Sequence, residues 1–152
     1  MADLLDICRA AQTRLKSDKY FESIDVLYDR DGNVVELAAE ALAKSGLYVM
    51  VYLPDATVES PSAPGPELHI AMNVDVWEYV PINRTAGRPH ALTVAQHVIA
   101  LLHHYTPPDL PSCFAADRRA LTRIELDDYP FSLIYQCRFV TQEAIQYIHI
   151  PI

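Results

Sequence analysis

Glycine is scarce in this chain: four residues in 152. A phosphate-cradling loop needs several glycines in a short span, and no such loop is present. Cysteine is nearly as rare. Cys8, Cys113 and Cys137 form no CxxC pair, and an odd number suits reduced thiols better than a disulfide framework. Basic residues are outnumbered 12 to 20 by acidic ones, for a net charge of −8 and a pI near 5.1. A module that grips nucleic acid carries a basic face to displace counterions, so DNA or RNA is not expected as a bound partner. No stretch approaches the roughly 20 apolar residues of a membrane-spanning helix. The first ten residues, MADLLDICRA, hold acids and an arginine where a signal peptide has an apolar run, so synthesis in the cytosol is expected.

Apolar residues make up 51% of the chain and charged ones 21%, which is enough to fold one domain around a core. The 11 prolines point to stiff, extended connections. Leu4, Cys8, Ala11 and Leu15 share one face of a helix expected from Asp3 to Lys16, with Asp3 as its N-cap. Residues 23–29 read as a strand with Ile24, Val26 and Tyr28 against Asp25 and Leu27. A turn at 29–33 leads to a helix from Val34 to Lys44, with Asn33 and Glu36 as a capping box and Gly46 suited to the left-handed position after it.

Leu47 to Leu53 is a continuous apolar run, as in a strand covered on both faces. Residues 54–67 (PDATVESPSAPGPE) hold four prolines and read as a long loop. From Leu68 the alternation is strict. Leu68, Ile70, Met72, Val74, Val76 and Val80 fall on one side, and His69, Ala71, Asn73, Asp75, Trp77 and Tyr79 on the other. A loop at 83–89 and a helix from Pro89 to His104 follow. A strand over 120–126 and one over 131–140 come next, the latter with Phe131, Leu133, Tyr135, Cys137 and Phe139 inward. The expected fold is therefore α+β, an antiparallel sheet with helices packed on one face in the order α-β-α-β-β-α-β-β. It occupies residues 1–142, and an extended apolar tail follows at 143–152.

No constellation of catalytic or metal-binding residues emerges. His90, His97 and His104 share a helix face, but seven residues span about 10.5 Å of axis, too far for one zinc. The Asp29–Asn33 turn lacks the glycine and glutamate spacing of a calcium loop. Cys137 alternates with core residues and Cys113 has no evident histidine partner. His69 and Asp75 lie about 20 Å apart along one strand. The expectation is a chain that is not an enzyme and holds no cofactor or metal. Charge is more telling: residues 47–83 carry Asp55, Glu59, Glu67, Asp75 and Glu78 and no Lys or Arg. Arg84, Arg88, Arg118, Arg119 and Arg123 gather beyond them. Opposite patches suit contacts between copies, and Ile145, Ile148, Ile150 and Ile152 of the tail suit packing on a neighbour.

The segments DLLDICRAAQTRLK, LYVMVYL with LHIAMNVDVWEYV, ALTVAQHVIALLHHY and LTRIELDDYPFSLIYQCRFV follow one another in an order that resembles the tail terminator, or tail completion, proteins of tailed bacteriophages. These include the minor tail protein U type and similar prophage proteins. The resemblance covers residues 1–142 and rests on element order and pattern, without a diagnostic motif. It implies a structural virion protein, made in the host bacterium's cytoplasm, that forms a homohexameric ring at the head-proximal end of the tail. Such a ring caps the tail tube and offers the surface where the head docks. Its partners would be copies of itself, the tube protein, a head-tail connector protein and, in a contractile tail, a sheath protein. DNA would pass through the lumen without specific binding, past walls of net negative charge. Two alternatives carry weight: another head-tail connector or completion protein, and a small-ligand-binding α+β domain whose pocket Trp77, Tyr79 and Tyr135 would line.

Overall fold

The computed structural model describes residues 4–58, 67–108, 110, 112–126, 131–141 and 145–146. Their elements are α1 (Leu4–Lys16), β1 (Asp25–Tyr28), α2 (Val34–Lys44), β2 (Leu47–Val58), β3 (Glu67–Tyr79), α3 (Val80–Ala86), α4 (Ala91–Leu102), β4 (Phe114–Glu125), β5 (Ser132–Thr141) and β6 (Ile145–Gln146). The strands form one sheet in the order β1-β2-β3-β5-β4, with β6 beside the start of β3. The α+β class holds, and the expected elements recur in their order with α3 and β6 in addition.

The sheet is antiparallel from β2 to β4, as expected, but β1 joins β2 in parallel. The reason is topological. A helix between two neighbouring strands carries the chain back to its starting end, so the second strand runs in the same direction as the first. That helix, α2, also departs from the expected single layer. Helices α1 and α4 cover one face, where Ile7, Ala11, Leu15, Val94, Val98 and Leu102 close over Val49, Val51, Met72, Val74, Val76 and Phe139. Helix α2 packs on the other face, against Leu27, Tyr48, Met50 and Trp77. This explains the unbroken apolar run of β2, and also why Leu27 is buried on the side of β1 that alternation assigned to polar residues.

Four further boundaries shift for local reasons. The expected loop at 54–67 is strand as far as Val58 and again from Glu67, while 59–66 lie outside the described residues. Pro54 is accommodated in β2 by a bulge. Tyr52 faces Asn73 and Asp55 faces Ala71, so Leu53 and Pro54 together oppose only Met72. A bulge removes the need for the ladder hydrogen bond that proline cannot donate. The expected loop at 83–89 is largely α3, which begins at Val80 with proline in its first turn and ends at Gly87, φ 70°. Helix α4 is shorter than expected, and buried Glu78 accepts a 2.8 Å hydrogen bond from its first backbone N–H, at Ala91. A carboxylate is favourable at that positive helix end. Phe131, expected inward, stands before β5 with φ 72° and is 67% exposed.

Asn33 makes no side-chain cap at α2. At the other end of that helix the glycine expectation holds. Gly46 has φ 72° and returns its N–H to the carbonyls of Ala41 and Leu42. A Cβ there would run into the backbone nitrogen of Asn83, so α3 approaches this turn as closely as a bare glycine allows.

Candidate assembly surfaces

The two faces of the sheet differ in kind. On the face under α1 and α4 the strands contribute mostly apolar side chains, and Cys137 meets Ala95 of α4 there. On the opposite face α2 covers the β1–β2 side. Beyond it, register places Tyr52, Asn73 and Arg138 in one row across β2, β3 and β5. The next row is Met50, Asp75, Gln136 and Thr122, and the third is Tyr48, Trp77, Ile134 and Ile124. Trp77 stacks on Tyr48 with ring centroids 5.7 Å apart.

The first two rows form a polar network around one hydroxyl. Tyr52 donates to Asp75 Oδ2 at 3.0 Å and accepts from Gln136 Nε2 at 2.9 Å and Asn73 Nδ2 at 3.3 Å. That exhausts what a phenol can do. Among the described residues it leaves Asp75 Oδ1 and Asn73 Oδ1 buried and without a hydrogen-bond partner, although the two residues are only 9% and 5% exposed. Burial raises the pKa of Asp75 above its ordinary 3.8, against the opposing hydrogen bonds of Tyr52 and Gln136. A buried carboxylate held this way is a strong acceptor short of donors.

Beside it, Arg138 bridges two strands. Its Nε donates to Asp117 Oδ2 on β4 at 3.1 Å, and its terminal nitrogen lies 3.3 Å from Asp55 Oδ1 on β2. Two carboxylates on one guanidinium leave the cluster negative. Opposite Arg138 the β4 strand bulges widely. Ala116 pairs with Phe139 and Leu121 with Cys137, so residues 117–120 face a single residue of β5. Arg118 and Arg119 are exposed on this bulge, at the free edge of the sheet, and among the described residues neither has a carboxylate partner.

The remaining candidates lie apart from one another. Arg84 is exposed on α3, and Arg88 is half-buried just beyond it, beside Lys44, Glu22 and Asp25 at a polar cavity of about 230 Å³. Arg123 pairs with its neighbour Glu125 at 3.0 Å, both exposed. Asp55, expected to be available to a neighbour, is engaged by Arg138. Where β3 pairs with β6, Glu67 lies opposite Gln146 and Ile145 opposite Leu68, so the start of the apolar tail joins the chain's own sheet. Glu59, Ile148, Ile150 and Ile152 lie outside the described residues.

Tyr52, Asn73, Gln136, Arg138 and Asp117 were not singled out by pattern. The available signal was polarity on the second face of β3 and β5, which reads as ordinary solvent exposure until both strands are known to be interior to the sheet.

The structure weakens the pocket alternative. Trp77 and Tyr79 point to the α2 face, whereas Tyr135 pairs with Val76 on the opposite one, so the three cannot line one cavity. Burial pushes the thiols of Cys8 and Cys137 up to about 12, which keeps both protonated at neutral pH. His97 stacks on Tyr20, and His103 accepts the N–H of Ala116 at 2.9 Å. Among the described residues no three His, Cys, Asp or Glu side chains gather as a metal would need.

No protein-family model matches the chain, and no curated protein matches its sequence. Its fold, however, is shared with solved structures. One is a chain of the virion of a native gene transfer agent particle, at TM-score 0.57 and 14% identity, covering 91% of this chain and 94% of that one. Another, known by a sequence label alone, aligns at TM-score 0.55 and 15% identity over 98% of this chain and all of the other. At such identities the likeness establishes the fold.

Proposed function

We propose that this chain is a structural protein of a phage-like virion, and within it a ring-forming tail terminator that caps the tail tube and presents the surface on which the head docks. The observation that carries the reading is the end-to-end match of its fold to a chain from a gene transfer agent virion. The element order that resembles tail terminators supports the finer assignment. The surfaces agree with a ring subunit. A cyclic ring needs two different patches on each copy, one for each neighbour. Here an acidic, donor-poor sheet face and an arginine-bearing edge lie on different parts of one sheet. A ring of net negative chains also lets DNA pass without holding it. None of the described helices is long and apolar enough to cross a membrane.

The test is native mass spectrometry of the purified chain, alone and with tail tube protein, joined to electron microscopy of the product. The expected species is a hexamer of about 103 kDa, six times the 17.1 kDa chain, seen as a ring seated on tube ends. A chain that stays monomeric or dimeric in both conditions and does not limit tube length would refute the reading.

A further inference from the structure

Among the described residues, the sheet face beyond α2 holds two buried acceptors without a donor, and the β4 bulge holds two exposed guanidinium groups without a carboxylate partner. Asp75 Oδ1 and Asn73 Oδ1 are buried and, among the described residues, unpartnered. Arg118 and Arg119 stand exposed at the sheet's edge with no ion pair among the described residues. We propose that the two patches are the halves of one head-to-tail contact, in which the β4 bulge of one copy docks on the sheet face of the next. This rests on the ring reading above and names the contact that closes the ring.

Three features point to a second copy as the occupant. The charges match: Asp55 and Asp117 share the cation Arg138, and Asp75 in the neighbouring row adds a third carboxylate, so the three acids and one cation leave two negative charges for the two arginines of the bulge. The chemistry matches as well, since a guanidinium offers five donors in a rigid fork and no acceptor, while the two free atoms are both acceptors. Topology keeps a chain from satisfying itself. The bulge lies opposite Arg138, and that cation and its two carboxylates stand between Arg118, Arg119 and the Asp75 row. Access to the two buried oxygens runs past Gln136, a half-buried amide that donates to the Tyr52 hydroxyl and toward the Asp75 carboxylate. On docking that amide turns aside and the arginine takes its place. A register in which two bulges or two sheet faces meet is rejected by like charge.

Two variants of the full chain test this, each checked first for a cooperative thermal transition. Arg118→Glu with Arg119→Glu reverses the bulge. Asp55→Asn with Asp75→Asn removes the negative charge of the face. Each alone is expected to raise the concentration needed for assembly by tenfold or more (on the order of one lost charge-assisted contact). Mixed one to one, they are expected to form heterodimers of about 34 kDa, twice the 17.1 kDa chain, and no ring, because only one productive contact per pair remains. If the reversed bulge unfolds the chain, Arg118→Ala with Arg119→Ala replaces it. Variants that each assemble like the unmodified chain overturn this contact and leave the ring reading standing. An unmodified chain that never assembles, with tube protein present, overturns both.

Discussion

Asp75→Asn is expected to make the isolated subunit more stable. The carboxylate sits on β3, 9% exposed, with one oxygen bonded to Tyr52 and the other unpartnered. Leaving a buried acceptor unsatisfied costs about 1–3 kcal/mol. The substitution keeps the shape and the acceptor that Tyr52 uses, removes the charge, and turns the second oxygen into a donor in a cluster whose other free atom, Asn73 Oδ1, is an acceptor. A gain of about 1–2 kcal/mol follows, or roughly 2–8 °C in Tm for a domain of this size. The pH dependence fixes the cause. Burial raises the folded-state pKa of Asp75 above 3.8, so the folded state binds the proton more tightly than the unfolded one. The penalty is therefore fully present above the folded pKa and fades as pH falls through it toward 3.8. Thermal melts of both proteins from neutral pH downward read this directly, with the variant's advantage largest at neutral pH and shrinking on acidification. A variant less stable at pH 7, or an advantage that grows on acidification, would refute the account of this network.

Three other substitutions probe the frame. Val74→Asp places a carboxylate at a position that is 0% exposed under α4, at a cost of several kcal/mol, and should prevent soluble folding; recovery of a cooperative, soluble protein in an expression trial would contradict the register of β3. Gly46→Ala forces a left-handed residue against the backbone of Tyr79 and Asn83 and should lower unfolding free energy by about 2–4 kcal/mol in urea titrations, whereas a neutral result would mean that α3 is not packed against this turn. Arg138→Ala unlinks Asp55 from Asp117 and should reduce stability by about 1 kcal/mol at low salt, with the difference shrinking as salt is added; a loss independent of ionic strength would assign the effect to packing instead.

Local pattern was enough for much of this fold because the strongest signals were periodic. The alternation from Leu68 to Val76 named the core side of β3, where Ile70, Met72, Val74 and Val76 are all buried. The apolar run of β2 announced a strand covered twice, and α2 supplies the second cover. What escaped depended on partners distant in sequence. Pro54 reads as a strand breaker unless the bulge against Met72 is known. Asn33 and Glu36 have the spacing of a capping box, yet the cap is not made. Asp75, Gln136 and Arg138 look like solvent-facing residues until β3 and β5 prove to be interior strands. The arginines of the bulge could be noted as a basic cluster, but their place at the free edge follows only from β4 being the last strand.

The interior of a sheet is an unfavourable place for a carboxylate, and the two faces of β3 show how narrowly the exception is confined. One side, from Ile70 to Val76, admits no polar group. The other begins with Ala71, passes through Asn73 and Asp75, and returns to apolar character at Trp77, which is stacked on Tyr48. Apolar residues at 73 and 75 would continue the surface that α2 begins and would remove two unpartnered buried acceptors. They would also create a broad exposed apolar face with no orientation of its own, free to meet any other apolar surface. An acceptor-rich patch is different. It remains poorly satisfied in the isolated subunit and becomes satisfied only when a donor arrives from outside. Local violations of packing rules concentrate where a protein must do something besides fold. If the arginine edge of a neighbour completes this network, the instability of the lone subunit and the directionality of the assembly have the same cause, and Asp75→Asn should improve the first while impairing the second.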